Sequence, residues 1–124
     1  QLLEMNDADF ENMANQMAGS MTSNKSKQLQ IKDWMLQVDR ETYVYGYTDL
    51  LKLDLREDLS KINTPVTILA ATEPYGLEMA KSTYDTQYKA LNEYTVEFAN
   101  GSSHFIMYDQ PKWFIENLKN VLSN

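Results

Sequence analysis

The sequence predicts an α/β protein in which a helical N-terminal part, residues 1–53, precedes a β-α-β-α unit with parallel strands, residues 54–124. Apolar residues recur at helical spacing before residue 53, whereas two short apolar runs, Val66–Ala71 and Tyr94–Ala99, lie beyond it. A helical pattern over residues 77–91 separates these runs. A strand-helix-strand unit of this kind joins parallel strands through a right-handed crossover.

Three helices are predicted in the N-terminal part. The first begins near Asn6, Asp7 and Asp9, which are acidic or amide residues suited to a helix start, and ends near Gly19. The second covers residues 27–38. Asp39 is positioned to cap the third, although residues 42–45 suit a strand equally well by propensity. The 3.6-residue period over the longer window favours a helix. The apolar faces of these helices comprise Phe10, Met13, Met17, Met21, Ile31, Trp34, Met35, Val38, Tyr43, Tyr47, Leu50 and Leu51.

The first predicted strand follows Pro65, because the residue before a proline avoids the α region. Val66–Ala71 is almost continuously apolar, which is typical of a parallel strand covered on both faces. The only histidine, His104, follows the second strand in a Gly/Ser turn. Asp109 is then expected to cap a last helix with Pro111 in its first turn. The buried face of that helix is predicted to comprise Phe114, Leu118, Val121 and Leu122.

Two stretches carry a resemblance to a known family. The run His-Phe-Ile-Met-Tyr-Asp-Gln-Pro-Lys-Trp-Phe, which begins at His104, closely resembles the end of one branch of the α/β-hydrolase superfamily. The pattern Asp-Leu-Arg-x-Asp-Leu-x-x-Ile-x-x-Pro, which begins at Asp54, looks like the segment that leaves the family's cap and re-enters its sheet. The resemblance covers residues 54–124, and residues 1–53 fit a helical cap by position and length. It implies the C-terminal portion of an α/β-hydrolase fold.

The resemblance also implies catalytic roles. His104 matches the family's general base, which takes a proton from a serine and is oriented by a carboxylate. Glu73 is the carboxylate at the end of the first strand, although the family's acid falls nearer Tyr75. Some members place the acid after the preceding strand, which here means upstream of Gln1. The orienting acid is therefore either Glu73 or an upstream residue.

The nucleophile expected for this family is missing from the sequence. No Gly-x-Ser-x-Gly elbow occurs in the 124 residues, and Ser102 and Ser103 lie in the histidine's own turn without the elbow context. The family's nucleophile precedes the cap, so the chain is expected to be the C-terminal part of a longer serine hydrolase of esters, amides or similar acyl substrates. The chain alone is expected to be inactive. The alternative is a non-catalytic binding or assembly domain with hydrolase-like architecture.

The composition of the chain argues against several classes of binding partner and cofactor. The net charge of −7 argues against nucleic acid, and the absence of cysteine excludes disulfides and thiolate metal sites. The sequence contains no phosphate-binding glycine loop, no clustered metal ligands and no apolar run of membrane-spanning length, so no cofactor and no membrane span are expected. The methionine and aromatic side chains in residues 1–53 suit a small substrate with an apolar acyl or aromatic group. Packing in a core explains the presence of these side chains equally well. Two strands with open edges predict self-association, and the sequence indicates no compartment.

Overall fold

A computed structural model of the protein describes residues 2–123. The chain divides into two compact units, residues 1–54 and residues 55–124. Both strands are parallel and the remaining regular structure is helical, so the α/β class is confirmed at this coarse level. No helix among the described residues has the length and apolarity needed to cross a bilayer. The elements are α1 Asp7–Met21, α2 Lys25–Gln37, α3 Arg40–Lys52, a 3₁₀ turn Asp58–Lys61, β1 Val66–Ala71, α4 Leu77–Tyr88, β2 Tyr94–Ala99, α5 Ile106–Asp109 and α6 Pro111–Leu122.

Local capping starts each of the three helices in the first unit. The side chains of Asn6, Asn24 and Asp39 each accept a hydrogen bond from a backbone N–H in the first turn that follows. At α3 the donor is Thr42, whose N–H lies 2.9 Å from Asp39 Oδ1. The hydrogen bonds from Thr42 lower the pKa of Asp39 below its ordinary value. Residues 42–45 are helical, which confirms the prediction made from the 3.6-residue period over the longer window.

An aromatic contact lies at the centre of the first unit. Phe10 is 4 % exposed and meets the ring of Tyr43 edge-on, with 6.2 Å between the centroids. The guanidinium of Arg40 lies 4.5 Å from the centroid of Phe10 and donates to Asp7 at 2.7 Å. Burial, followed by the neighbouring Tyr47, raises the pKa of Tyr43. The core of this unit comprises Phe10, Ala14, Ala18, Ile31 and Val44.

Two predictions for the first unit are wrong: the end of the first helix near Gly19, and the place of Leu50 and Leu51 on the inward face of the third. Gly19 lies inside α1, because the helix continues to Met21. Leu50 and Leu51 are 63 % and 70 % exposed, and Val44 is the buried residue of α3. Helix α3 contacts α1 through Tyr43, near its N-terminus. The predicted apolar residues in the last turns of α3 therefore lie outside the core. The methionine stripe Met13, Met17 and Met21 is half-buried.

The second unit is built on the two predicted strands. β1 and β2 occupy the predicted bounds and pair in parallel, with Val66 opposite Tyr94 and Ala71 opposite Ala99. Helix α4 covers one face of this sheet through Tyr84, which meets Phe98 edge-on at 5.9 Å. Helix α6 contacts both strands.

The sheet is covered less completely than its apolar sequence predicts. Ala70 and Ala99 are the buried residues of the two strands, and α4 ends at Tyr88, not at residue 91. None of residues 111–122 is buried, and Leu122 is 77 % exposed, contrary to the predicted buried face of α6. A sheet of two strands is too narrow to cover the apolar face of a twelve-residue helix.

Candidate functional site

The two parallel strands end together. Ala71 is paired with Ala99, so residues 72–76 and residues 100–105 leave the sheet at the same edge. We call this the carboxyl edge. Ligands of open α/β sheets bind outside this edge, because the loops that follow the strands converge there.

Hydrogen bonds tie the two loops to each other. The backbone N–H groups of Thr72 and Glu73 donate to the carbonyl oxygen of Ser102 at 3.2 and 3.0 Å. In return, the N–H of Gly101 donates to Thr72 Oγ1 at 2.8 Å. Thr72 and Ser102 are 2 % and 0 % exposed, so these bonds are shielded from water on one side, although Glu73 and Gly101 are exposed. The start of the loop that carries His104 is therefore fixed relative to β1.

His104 is presented to solvent from this loop. Its imidazole is exposed and meets Phe105 edge-on, with 5.1 Å between the ring centroids. Glu73 is also exposed, on the neighbouring loop. Within residues 2–123, neither a hydrogen bond nor an ion pair joins these two side chains. The structure thus brings their loops together, and the assignment of Glu73 as the orienting acid stays a prediction.

Asp109 does not cap the last helix, so that prediction is wrong. Helix α6 follows Gln110 without a side-chain cap, although Pro111 occupies its first turn as predicted. Asp109 instead accepts a hydrogen bond from the N–H of Ser103, 2.8 Å from Oδ2. The one-turn helix α5, which the sequence did not predict, precedes α6 and directs Asp109 back to the loop.

Gln110 supports the same loop from the other side. Its Nε2 donates to the carbonyl oxygen of Asn100 at 2.7 Å. Thr72, Asp109 and Gln110 therefore hold the histidine loop, and sequence reasoning missed all three. Their residue types carry no distinguishing signal. The one available hint was a polar threonine at the end of an apolar strand.

The serines beside the histidine are poorly placed to react. Ser102 is fully buried, and its hydroxyl donates to the carbonyl oxygen of Ser103 at 3.1 Å. Ser103 is half-buried and its N–H is held by Asp109. Neither residue follows a strand directly into a helix, as an elbow nucleophile does.

A cavity of about 630 Å³ lies between the sheet and α6, but at the other end of the strands. Its lining includes Pro65 and Glu93, which directly precede β1 and β2, and Asn117 of α6. His104 is not part of it. No group of three or more metal-ligating side chains occurs among residues 2–123.

Comparisons with protein-family models, with curated proteins and with solved structures find no match to this chain. Any assignment of function therefore rests on the fold and on the residues at the carboxyl edge.

Replacing Thr72 by valine should destabilise the second unit by about 0.5–1.5 kcal/mol, because the partly buried hydrogen bond from the N–H of Gly101 loses its acceptor while the shape of the side chain is kept. Urea unfolding of the 124-residue chain measures this loss. Thr67→Val is the matched control, since Thr67 is exposed on β1, the strand that Thr72 follows, and the hydrogen bond that its side chain accepts from Thr95 is exposed to water. It should change stability by less than about 0.5 kcal/mol. Equal effects of the two substitutions would contradict the structural role of Thr72.

Proposed function

We propose that this chain is the base-bearing part of a serine hydrolase of the α/β-hydrolase type, which acts on esters, amides or similar acyl substrates. One observation carries the proposal. The chain's only histidine is exposed at the carboxyl edge of two parallel strands, in a loop held by partly buried hydrogen bonds. This is where an open α/β sheet offers a base to a ligand. The resemblance that begins at His104 supports the same assignment.

In this proposal His104 accepts the proton of a serine hydroxyl as the serine attacks the acyl carbon, and then donates it to the leaving group. The serine and the oxyanion-binding N–H groups belong to a segment outside the 124 residues, because these residues contain no elbow sequence. Glu73, or a carboxylate from the same outside segment, orients the imidazole. Residues 1–53 correspond by position and length to the family's cap, and their methionine and aromatic side chains suit an apolar acyl or aromatic substrate as well as they suit a core.

A second candidate is a binding or assembly domain with hydrolase-like architecture. Two observations favour it: the sequence lacks an elbow, and no hydrogen bond joins Glu73 to His104 within the described residues 2–123. In that case the loop hydrogen bonds serve stability alone. The reading frame that precedes Gln1 separates the two candidates.

The proposal predicts that the 124-residue chain alone cleaves a nitrophenyl ester within about tenfold of free imidazole, whereas enzymes exceed uncatalysed rates by at least ~10⁶-fold. The reason is that a base needs a positioned hydroxyl and oxyanion donors. The longer protein should turn over the ester and react with a fluorophosphonate probe at an elbow serine.

Three results would contradict this proposal. Probe labelling of the 124-residue chain at Ser102 or Ser103, with turnover abolished by His104→Ala, would make the chain a complete small hydrolase. An upstream reading frame without an elbow would favour the binding domain. A longer protein that has an elbow but neither reacts with the probe nor cleaves acyl substrates would also exclude the hydrolase.

The isolated chain should associate with itself. In the part of the chain that the structure describes, each strand has one unpaired edge, and β1 is apolar except for Thr67, with Ile68 and Leu69 half-buried. Leu122 adds exposed apolar surface on α6. Pairing of strand edges or exchange of helices between copies would cover these groups. Light scattering at micromolar concentration should show a mass above 14.4 kDa that rises with concentration, and a clean monomer would contradict this prediction.

A further inference from the structure

Asp109 holds the residue that directly precedes His104. The N–H of Ser103 donates to Asp109 Oδ2 at 2.8 Å, across six residues of chain. Both groups are partly buried, and the acceptor is a carboxylate. Hydrogen bonds to ionised acceptors are stronger than neutral ones, and partial burial limits competition from water.

The other supports of the loop hold residues that lie further from His104 along the chain. Thr72 holds Gly101 and Ser102, and Gln110 holds the carbonyl oxygen of Asn100. These bonds fix where the loop starts. The bond to Asp109 fixes Ser103, the residue directly before His104. It therefore governs the direction of the backbone as it reaches the histidine.

We infer that Asp109 is a positioning residue for His104, acting through the backbone of Ser103 and not through contact with substrate. This inference rests on the proposed function of His104 as a general base. A base must lie within hydrogen-bond distance of the proton it removes, and a displacement of about 1 Å can cost about 100-fold in rate. The carboxylate of Asp109 keeps the imidazole within that tolerance.

The first test needs no catalytic activity. Amide hydrogen exchange of Ser103 in the 124-residue chain should accelerate at least tenfold in Asp109→Ala. Asp109→Asn should stay within threefold of the unmodified chain, because its amide oxygen still accepts the bond. Glu116→Ala is the matched control, since it removes one negative charge from an exposed position of α6. Unchanged exchange at Ser103 in Asp109→Ala would overturn the inference.

The second test uses the longer hydrolase. Asp109→Ala should lower kcat about 10- to 100-fold with little change in KM, and Asp109→Asn should recover most of that loss. In a His104→Ala background, Asp109→Ala should have no further effect, since no base remains to be positioned.

The two tests separate the inference from the proposed function. Faster exchange at Ser103 with an unchanged kcat in Asp109→Ala would overturn the inference and leave the hydrolase standing. A further loss of kcat in the His104→Ala background would overturn it too. If His104→Ala itself left turnover unchanged, the proposed function would fail, and the catalytic role of Asp109 with it.

Discussion

Replacing His104 by alanine should lower the turnover of the proposed hydrolase by about 10²- to 10⁴-fold, because a positioned base contributes that much to acyl transfer and no other histidine is present in this chain. The fold should be unaffected. His104 is exposed and its described contact is the edge of Phe105, so alanine leaves no cavity in the core.

Steady-state kinetics on a nitrophenyl ester measure the loss, and urea unfolding should show a stability change below about 0.5 kcal/mol. Met107→Ala is the matched control, since Met107 is 41 % exposed in the same stretch and is not assigned to the chemistry. Full activity of His104→Ala would exclude the proposed base. A large loss of stability would mean that the histidine serves the fold.

The effect of Glu73→Gln on turnover depends on which carboxylate orients His104. If Glu73 orients His104, Glu73→Gln should lower turnover strongly, because the amide cannot stabilise the imidazolium as a carboxylate does. If the acid lies upstream of Gln1, the same change should leave turnover nearly unchanged, since Glu73 is exposed and its backbone bond to Ser102 is kept.

Replacing Phe10 by alanine should strongly destabilise the three-helix unit. Truncating a buried phenylalanine costs about 3–5 kcal/mol, and Phe10 is 4 % exposed. The substitution also removes the contacts with Tyr43 and Arg40. A unit of 54 residues has a stability of roughly 3–8 kcal/mol on the usual scale per residue, so most of it would be lost.

Circular dichroism at 222 nm measures this effect through the helical signal and its thermal midpoint. Leu51→Ala is the matched control, because Leu51 is a large apolar residue of α3 that is 70 % exposed. It should shift the midpoint little. If Phe10→Ala and Leu51→Ala destabilised the protein equally, the core assigned to Phe10 would be wrong.

Elements whose causes are local could be predicted from the sequence. The N-caps Asn6 and Asp39 bond to N–H groups three residues away, so their helices begin where predicted. The bounds of β1 and β2 follow short apolar runs flanked by turn residues, and the intervening helix requires parallel pairing.

The tertiary structure alone decided which apolar residues are buried and which polar groups meet. Leu51 and Leu122 belong to well-formed helical stripes yet remain exposed, because burial depends on a neighbouring surface that the stripe does not specify. The capping rule assigned Asp109 to α6, whereas the carboxylate bonds to Ser103, six residues earlier. A hydrogen bond across a loop depends on the path of that loop, and the tie between Thr72 and Gly101 that helps to set this path spans 29 residues.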